Sequence, residues 1–202
     1  TVVREDLYQS HNQSAVMRTA DCMGLQHIHI IENRNCYDVS STVSQGAREW
    51  LTLHRYRGEQ NNTPAAIRQL REAGYRIIAT TPHTQDVLND IFVDDIDLEK
   101  GKMAFFFGTE LTGLSETVIN EADEFVKVPM YGFTESLNVS VCAALIMYSV
   151  VQRLKTSAIN WHLDEAEQVR VALQWYKHSI KSSKQILERF EEKEEIGLEI
   201  VN

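Results

Sequence analysis

Residues 134–154 read TESLNVSVCAALIMYSVVQRL, and a polar segment runs there without a break into a strongly apolar one. Within 139–151 only Ser140 and Ser149 are clearly polar. A helix with so few polar positions is expected to be buried on most of its circumference. The polar residues at the beginning of this helix are therefore expected to lie close to the core of the protein.

Short apolar runs bounded by turn residues alternate with helical patterns along the chain, which is typical of an α/β domain with a mainly parallel sheet. One helix is predicted over 12–23 and ends at Gly24, and a second begins at Thr63-Pro64 and ends at Gly74. A longer helical region is predicted over 164–194. Strands are predicted at 2–4, 28–31, 52–56, 76–80, 104–107 and 126–128.

The composition is that of an ordinary globular protein, with 202 residues, 43% hydrophobic and 24% charged. This length suits one well-packed domain with additional helices. No apolar run is long enough for a membrane span and the first residues do not resemble a signal peptide, so we expect a soluble, cytoplasmic protein. Cys22, Cys36 and Cys142 lack C-x-x-C spacing, and we therefore expect free thiols and no metal site.

The net charge of −9 is unevenly distributed. Residues 84–124 contain 11 acidic and 2 basic residues, which accounts for the whole excess. Residues 1–80 contain nine Arg and no Lys, a choice that favours planar, bidentate contact with phosphate or carboxylate. For any single Arg, a solvated surface position is the simpler interpretation.

Three polar segments lie where a strand or turn meets a helix, which is where α/β proteins keep their sites. In the first, Asn12 could cap a helix and Arg18 could pair with an acid. In the second, Gly108 and Gly113 could admit a ligand to the backbone or could only shape a turn. The segments are HNQSAVMRTADCMG at 11–24, FFFGTELTGLSE at 105–116 and VPMYGFTESLN at 128–138.

Taken together and in this order, the three segments resemble the motifs of the TrmH family of SPOUT-superfamily RNA 2′-O-ribose methyltransferases. The resemblance covers residues 2–154 and includes QGAREWL at 45–51. Its most specific part is P-M-x-G-x-x-x-S-L-N-V-S-V followed by an apolar helix. A glycine fingerprint after the first strand, which a nicotinamide-dependent enzyme would need, is not found.

The resemblance implies a SPOUT-type fold, a mainly parallel sheet flanked by helices with a deep trefoil knot. The methyltransferase domain would cover 1–157, with the knot at about 104–154. Residues 158–202 would form a C-terminal helical extension that ends in an acidic tail. The family forms homodimers that complete the site across the interface, so the apolar helix that follows Leu137 would pack against its twin.

The resemblance also implies transfer of a methyl group from S-adenosylmethionine to a ribose 2′-hydroxyl of RNA. The architecture favours guanosine 18 in the D-loop of tRNA as the target, and the alternatives are a guanosine of 23S ribosomal RNA or a catalytically silent RNA-binding protein. The residues that match the cofactor-binding positions of the family are Thr80, Gly108, Val128, Met130, Ser136 and Leu137.

Arg18, Glu110 and Asn138 match the catalytic positions of the family. Because a guanidinium stays protonated near neutral pH, we expect Arg18 to stabilise the developing alkoxide rather than to act as a base. Without the motif, Glu110 would be interpreted as a helix-start carboxylate and Asn138 as a loop hydrogen-bond partner.

Asn12, Arg18 and Arg48 are the expected RNA-binding residues. A helix cap is an equal alternative for Asn12, and a surface salt bridge is nearly as good an interpretation of Arg48. His27 and His29, within a predicted strand, are interpreted as core or interface residues without a chemical role.

Overall fold

The structure is a computed structural model that describes residues 1–7, 9–35, 46–82 and 90–190. The chain divides into two compact units, Thr1–Asn160 and Trp161–Asn202. The first unit holds a parallel sheet with helices on both faces, and the second holds helices.

Seven strands form one sheet in the order β3-β2-β1-β6-β4-β7-β5, and every pairing is parallel. The first strand lies in the interior of the sheet, because Val3 pairs with His29 on one side and with Phe106 on the other. The strands are β1 Val2–Glu5, β2 His27–Ile31, β3 Thr52–Tyr56, β4 Arg76–Thr80, β5 Asp90–Phe92, β6 Met103–Phe107 and β7 Glu124–Lys127.

The predicted α/β architecture with a parallel sheet is confirmed, with two differences in the strands. The short edge strand β5 was not predicted, because three residues give too little alternation to recognise. The strand predicted at 126–128 occupies Glu124–Lys127 instead. Glu124 is tolerated inside this strand because Arg76 on the neighbouring strand pairs with it at 2.7 Å.

Among the described residues of the first unit, five α-helices cover the sheet. The helices at 10–23 and 63–72 lie close to their predicted positions, whereas no bounds were predicted for the short helices at 47–50 and 116–121. Gly24 ends α1 with φ of 79°, as predicted. Thr63-Pro64 begins α3, also as predicted, and Gly74 follows its end with φ of 80°. The helices are α1 Ser10–Met23, α2 Ala47–Trp50, α3 Thr63–Glu72, α4 Glu116–Glu121 and α5 Val139–Thr156.

Two apolar layers separate the helices from the sheet. On one face, α1 and α5 contribute Val16, Met17, Ala143 and Ile146 to a layer completed by alternate strand residues. On the other face, α3 and α4 pack against the remaining strand residues, including the fully buried Phe106. Burial on both faces explains the continuous apolar strand segments in the sequence.

The helix α5 differs from its prediction, because only one face of it is buried within the chain. Ala143, Ile146, Met147 and Val150 contact the sheet layer. The opposite face exposes 48% of Val141, 43% of Leu145 and 56% of Tyr148. The expectation that α5 is buried on most of its circumference is therefore wrong for a single copy of the chain.

The second unit contains the helix α6, Glu165–Ser179, which Asp164 caps by accepting a 2.8 Å bond from the Glu167 amide. A further helical stretch covers 183–190, and Ser182 between the two has φ of 66°. The single helical region predicted over 164–194 is thus interrupted, and 191–194 lie outside the described residues.

Two further expectations concern the membrane and the cysteines. Among the helices of the described residues, none combines the length and apolarity that crossing a bilayer requires. Cys22 and Cys142 are free thiols, and burial raises the pKa of Cys142 to about 11. Cys36 and the acidic tail over 191–202 lie outside the described residues.

A cluster of histidines lies where β2 meets the edge strand β3. His27 Nδ1 lies 3.0 Å from His54 Nε2, and His29 Nδ1 lies 2.9 Å from the Tyr56 hydroxyl. The rings of His29 and His54 are stacked with centroids 4.5 Å apart. Burial, and to a smaller extent the neighbouring His54, lowers the pKa of His29 to about 3. His27 and His29 are therefore packing residues of the sheet, as interpreted from the sequence.

Protonation of His29 is expected to weaken the fold in acid. The ordinary imidazole pKa of 6.5 falls to about 3 on folding, so at pH 5 the unfolded chain binds a proton that the folded chain excludes. The stabilisation is complete above pH 6.5 and is lost as the pH falls towards 3. We expect the free energy of unfolding to decrease by about 2 kcal/mol between pH 7.5 and pH 5 on this account.

Urea denaturation at both pH values measures this difference in wild-type protein and in His29→Gln. The substitution should remove most of the pH dependence, whereas the exposed control His11→Gln should retain it. Equal pH dependence in wild type and His29→Gln would contradict the assignment.

Candidate functional site

The site lies at the carboxyl ends of β1 and β6, which are neighbours in the sheet although the chain between them is long. The chain leaves β1 into residues 6–9 and then α1, and it leaves β6 into a turn at 108–115. On one side of β1 lie β2 and β3, and on the other side lie β6, β4, β7 and β5. Ligands of α/β proteins bind outside the carboxyl ends of strands at such a switch point.

Three predicted site residues from distant parts of the chain meet there in one hydrogen-bonded cluster. The Asn12 Nδ2 atom donates to Glu110 Oε1 and, at 3.1 Å, to Gln9 Oε1. The Asn138 Nδ2 atom donates to Asn12 Oδ1 at 3.2 Å. We call Gln9, Asn12, Glu110 and Asn138 the Asn12 cluster. It joins all three sequence motifs through side chains.

The cluster corrects two of the alternatives that the sequence left open. Asn12 does not cap α1, because the helix already begins at Ser10 and Asn12 is 3% exposed inside its first turn. Glu110 is not a helix-start carboxylate, because it lies in the turn before α4, which Ser115 caps.

Asn138 makes local hydrogen bonds at a helix start and also contacts another predicted site residue. It is the N-cap of α5, where its Oδ1 accepts from the Ser140 amide at 2.9 Å and from the Ser140 hydroxyl at 2.6 Å. Its amide nitrogen remains available for Asn12. One side chain thus satisfies a helix end and joins the cluster.

Arg18 lies further along α1 and is exposed to solvent. Within the described ranges its guanidinium makes no hydrogen bond and no ion pair, so pairing with an acid finds no support there. Because His11 precedes it by seven residues, the two side chains share one exposed face of the helix. Arg18 makes no hydrogen bond to the residues of the Asn12 cluster.

The predicted cofactor residues follow three strands that are consecutive in the sheet, namely β6, β4 and β7. Thr80 ends β4 and donates to the Phe106 carbonyl at 2.7 Å, while Gly108 and Val128 directly follow β6 and β7. Met130, Ser136 and Leu137 belong to residues 128–138, which form neither helix nor strand. Met130 also lines a shallow depression of about 310 Å³.

The two glycines of the second motif shape a turn. Thr109 and Gly113 exchange two backbone hydrogen bonds of 3.0 Å. A Cβ atom on Gly108 would lie 2.2 Å from both the carbonyl carbon and the carbonyl oxygen of Gly113. Gly113 itself has φ of 68°, a conformation that favours glycine. Both glycines thus shape the turn, and the approach of a ligand to the backbone of Gly108 stays a prediction.

Arg48 lies on the short helix α2 and is exposed. Its side chain has no ion-pair partner in the portion of the chain that the structure describes, so the surface salt bridge finds no support. Gln45, the first residue of the motif that contains Arg48, lies outside that portion.

Sequence reasoning missed the buried carboxylate of Glu5 at the end of β1. Its oxygens accept hydrogen bonds from the Ser115 amide at 2.8 Å, the Ser115 hydroxyl at 2.7 Å and the Thr63 hydroxyl at 2.6 Å. Glu5 is 3% exposed, and its hydrogen bonds hold the 108–115 turn and the start of α3 at the end of β1. The sequence feature that could have revealed Glu5 is an acidic residue at the end of an otherwise apolar strand, because buried charges are rare unless they are paired.

Asp6, the next residue, was also missed. Its Oδ1 atom accepts from the backbone amides of residues 33, 34 and 35 at 2.8–3.1 Å. Its φ of 56° is uncommon for a residue other than glycine. The residue therefore holds the segment that follows β2 in one conformation.

Metal binding was not expected from the sequence. In residues 1–7, 9–35, 46–82 and 90–190, no group of three or more His, Cys, Asp or Glu side chains is arranged to hold a metal ion.

Comparison with known proteins gives a family and relatives. The model of the SpoU rRNA methylase family matches residues 1–148. The chain is 41% identical over 183 residues to a tRNA (guanosine(18)-2′-O)-methyltransferase from Borreliella burgdorferi, covering 90% of this chain and 79% of the relative.

Two solved structures share the fold. The TrmH/SpoU tRNA modifying enzyme of A. aeolicus superposes with a TM-score of 0.75 at 24% identity and covers 89% of each chain. The SpoU methyltransferase AviRb from Streptomyces viridochromogenes, solved in complex with AdoMet, has a TM-score of 0.65 at 24% identity over 77% of this chain and 60% of its own.

A methyl group at position 108 is expected to displace the turn that carries Glu110. Gly108→Ala places its Cβ against the Gly113 backbone, which cannot rotate away as a side chain could. We expect a loss of about 2 kcal/mol or more in the free energy of unfolding, measured by urea denaturation.

Gly132→Ala is the matched control, because a Cβ there meets nothing within 4 Å and its φ is not positive. This variant should stay within about 0.5 kcal/mol of wild type. Equal stability of the two variants would contradict the close approach at Gly108.

Proposed function

The chain belongs to the SpoU rRNA methylase family, and from this premise we propose that it methylates the ribose 2′-hydroxyl of guanosine 18 in the D-loop of tRNA. The methyl donor in this proposal is S-adenosylmethionine. The observation that carries the proposal is the Asn12 cluster, because it gathers residues from all three motifs at one edge of the sheet. The tRNA target is supported by the relative that is 41% identical.

The Asn12 cluster suits the positioning of a ribose. The exposed carboxylate of Glu110 can accept a hydrogen bond from a sugar hydroxyl, and Asn12 and Asn138 restrict the orientation of that carboxylate. Methyl transfer requires an in-line approach of the hydroxyl oxygen, so much of the rate should come from such positioning. We assign Glu110 and Asn138 to this role and Asn12 to placement of the target nucleotide.

Arg18 supplies positive charge in this proposal. Its guanidinium is exposed and has no partner among the described residues, so it is free to approach a substrate oxygen. Because it stays protonated, it stabilises the developing alkoxide electrostatically and does not remove the proton. The proton passes to an RNA phosphate oxygen or to water.

The residues that would hold S-adenosylmethionine fit such a ligand. When bound, the cofactor supplies an electrophilic methyl group. Thr80, Gly108 and Val128 follow three consecutive strands, and residues 128–138 leave backbone donors and acceptors outside any helix or strand. The thioether of Met130 offers an apolar surface for the adenine, and Ser136 and Leu137 stand at the start of α5.

We propose that the segment 104–154 forms a deep trefoil knot within a domain of residues 1–157, with 158–202 as an additional helical extension. The contact between Asn138 and Asn12 supports this path. Strand β7 is three positions from β1 in the sheet, so residues 128–138 must return across the carboxyl ends of β4 and β6 to make that contact.

The exposed apolar face of α5 supports a homodimer. Val141, Leu145 and Tyr148 form one face opposite the buried side of the helix. A second copy of the chain would cover this face, and the partner would complete the site next to α5. In the same proposal, Arg18 and Arg48 contact RNA phosphates. Activity on tRNA agrees with the cytoplasmic location predicted from the sequence.

Replacement of Arg18 tests the catalytic assignment. Wild-type protein, radiolabelled methyl donor and total tRNA should give one labelled ribose, which RNA mapping should place at guanosine 18. In Arg18→Ala, we expect kcat to fall by about 100-fold or more while the Kd of the cofactor, measured by calorimetry, stays nearly unchanged.

The control is Arg68→Ala, an exposed arginine on α3 outside the site. Turnover within a few-fold of wild type in Arg18→Ala would overturn the role of Arg18. Label that appears only in 23S ribosomal RNA would favour the ribosomal alternative, and absence of cofactor binding would favour a silent RNA-binding protein.

A charge on the exposed face of α5 is expected to dissociate the dimer. Leu145→Glu would bury an unpaired carboxylate in the interface, whereas Arg68→Glu changes a residue on the opposite face of the sheet. Light scattering after size-exclusion chromatography should give twice the chain mass for wild type and Arg68→Glu, and a lower mass for Leu145→Glu. A wild-type monomer, or a Leu145→Glu dimer, would contradict the proposal.

A further inference from the structure

A cleft of about 950 Å³ lies beside the Asn12 cluster at the carboxyl end of β1. One wall consists of residues 33–35 and 60–61, and the other is the segment 109–116. Glu5 and Asp6 form the floor between them. Gln9 and Glu110 belong both to this cleft and to the Asn12 cluster, so a molecule in the cleft would lie next to the proposed ribose position.

Both walls are anchored to the floor before any ligand binds. Glu5 holds the 109–116 wall through Ser115, and Asp6 holds residues 33–35 through three backbone amides. The positive φ of Asp6 is a conformation that persists only when its surroundings enforce it. The cleft is therefore preorganised, which reduces the entropic cost of binding.

Two charged side chains on opposite walls have no hydrogen-bond or ion-pair partner among the described residues. The backbone amide of Arg34 bonds to Asp6, but its guanidinium makes no hydrogen bond or ion pair with any described residue. The carboxylate of Glu116, at the first position of α4, is likewise free among those residues. By contrast, the side chains of Asn33 and Asn35 are already hydrogen-bonded to the protein.

A guanine base matches one cation and one carboxylate on opposite walls. Its N7 and O6 atoms accept two hydrogen bonds from a guanidinium, and its N1–H and N2–H groups donate to a carboxylate. Adenine presents a donor next to N7, and pyrimidines have no N7 atom. Bases in single-stranded RNA loops are turned outward and recognised on these edges.

We propose that this cleft binds the guanine base of the nucleotide to be methylated, with Arg34 donating to O6 and N7 and Glu116 accepting from N1–H and N2–H. The inference rests on the proposed function and adds the residues that select guanosine. Since Gln9 and Glu110 are shared, a base held in the cleft places its ribose at the Asn12 cluster. Arg34 and Glu116 are binding residues in this proposal and do not touch the reacting atoms.

Two guanosine analogues separate the two contacts. In 7-deazaguanosine the N7 acceptor is replaced by a C–H group, and inosine lacks the N2 amino group. A ligated tRNA with guanosine, 7-deazaguanosine or inosine at position 18 serves as substrate, and kcat/KM for methyl transfer is measured. Wild type should prefer guanosine over each analogue by about 10-fold.

Each substitution should remove only the discrimination against the analogue that lacks the hydrogen-bonding group of the deleted contact. Arg34→Ala should treat guanosine and 7-deazaguanosine alike while still rejecting inosine. Glu116→Ala should treat guanosine and inosine alike while still rejecting 7-deazaguanosine. Cofactor affinity, measured by calorimetry, should be unchanged in both variants, and Arg68→Ala and Glu72→Ala on the outer surface of α3 should keep both discriminations.

The outcomes distinguish this inference from the function on which it rests. If wild type methylates the guanosine substrate but does not discriminate against the analogues, the cleft is not the guanine site. The same conclusion follows if either variant lowers transfer to all three substrates by an equal factor. If wild type transfers no methyl group to the ligated guanosine tRNA, the proposed function itself fails.

Discussion

The pairing of β1 with β6 is the contact on which the rest of the site depends. It joins Val3 to Phe106 in parallel register, and the N-terminal amine of Thr1 reaches the Met103 carbonyl at 2.7 Å. This pairing brings the beginning of α1 next to the 108–115 turn. Glu5 then locks the arrangement, because its buried charge would be costly without the hydrogen bonds of Ser115 and Thr63.

The packing of α5 explains why its polar first residues reach the same edge of the sheet. One face of α5 fills the layer between the sheet and α1, which fixes the start of the helix at the edge of the sheet. Asn138 stands at that start and can therefore serve both the helix end and Asn12. The polar residues 134–136 and Asn138 are exposed, so the expectation that they lie close to the core is wrong for a single copy of the chain. They stand at the edge of the sheet because the segment 128–138 ends there and the packed helix begins there.

Helices and strands that leave a pattern in neighbouring residues could be predicted from the sequence. Gly24, Thr63-Pro64 and the apolar strand segments mark their elements because backbone conformation and burial leave a pattern in neighbouring residues. The tertiary roles of Asn12 and Glu5 could not be found that way. Asn12 has the same intrinsic preference for a helix cap wherever it occurs, and Glu5 depends on hydroxyl groups 58 and 110 residues away. The family motif supplied the grouping of Asn12, Glu110 and Asn138, which neither propensity nor spacing would give.

The distance in sequence between β1 and β6 also bears on how the chain is made. During synthesis β2 follows β1 closely and can pair with it early, whereas β6, the partner of its other edge, lies about 100 residues further along the chain. The exposed edge of a buried, apolar strand readily pairs with other chains. Chaperone engagement with the nascent chain would thus be most valuable in the interval before β6 emerges.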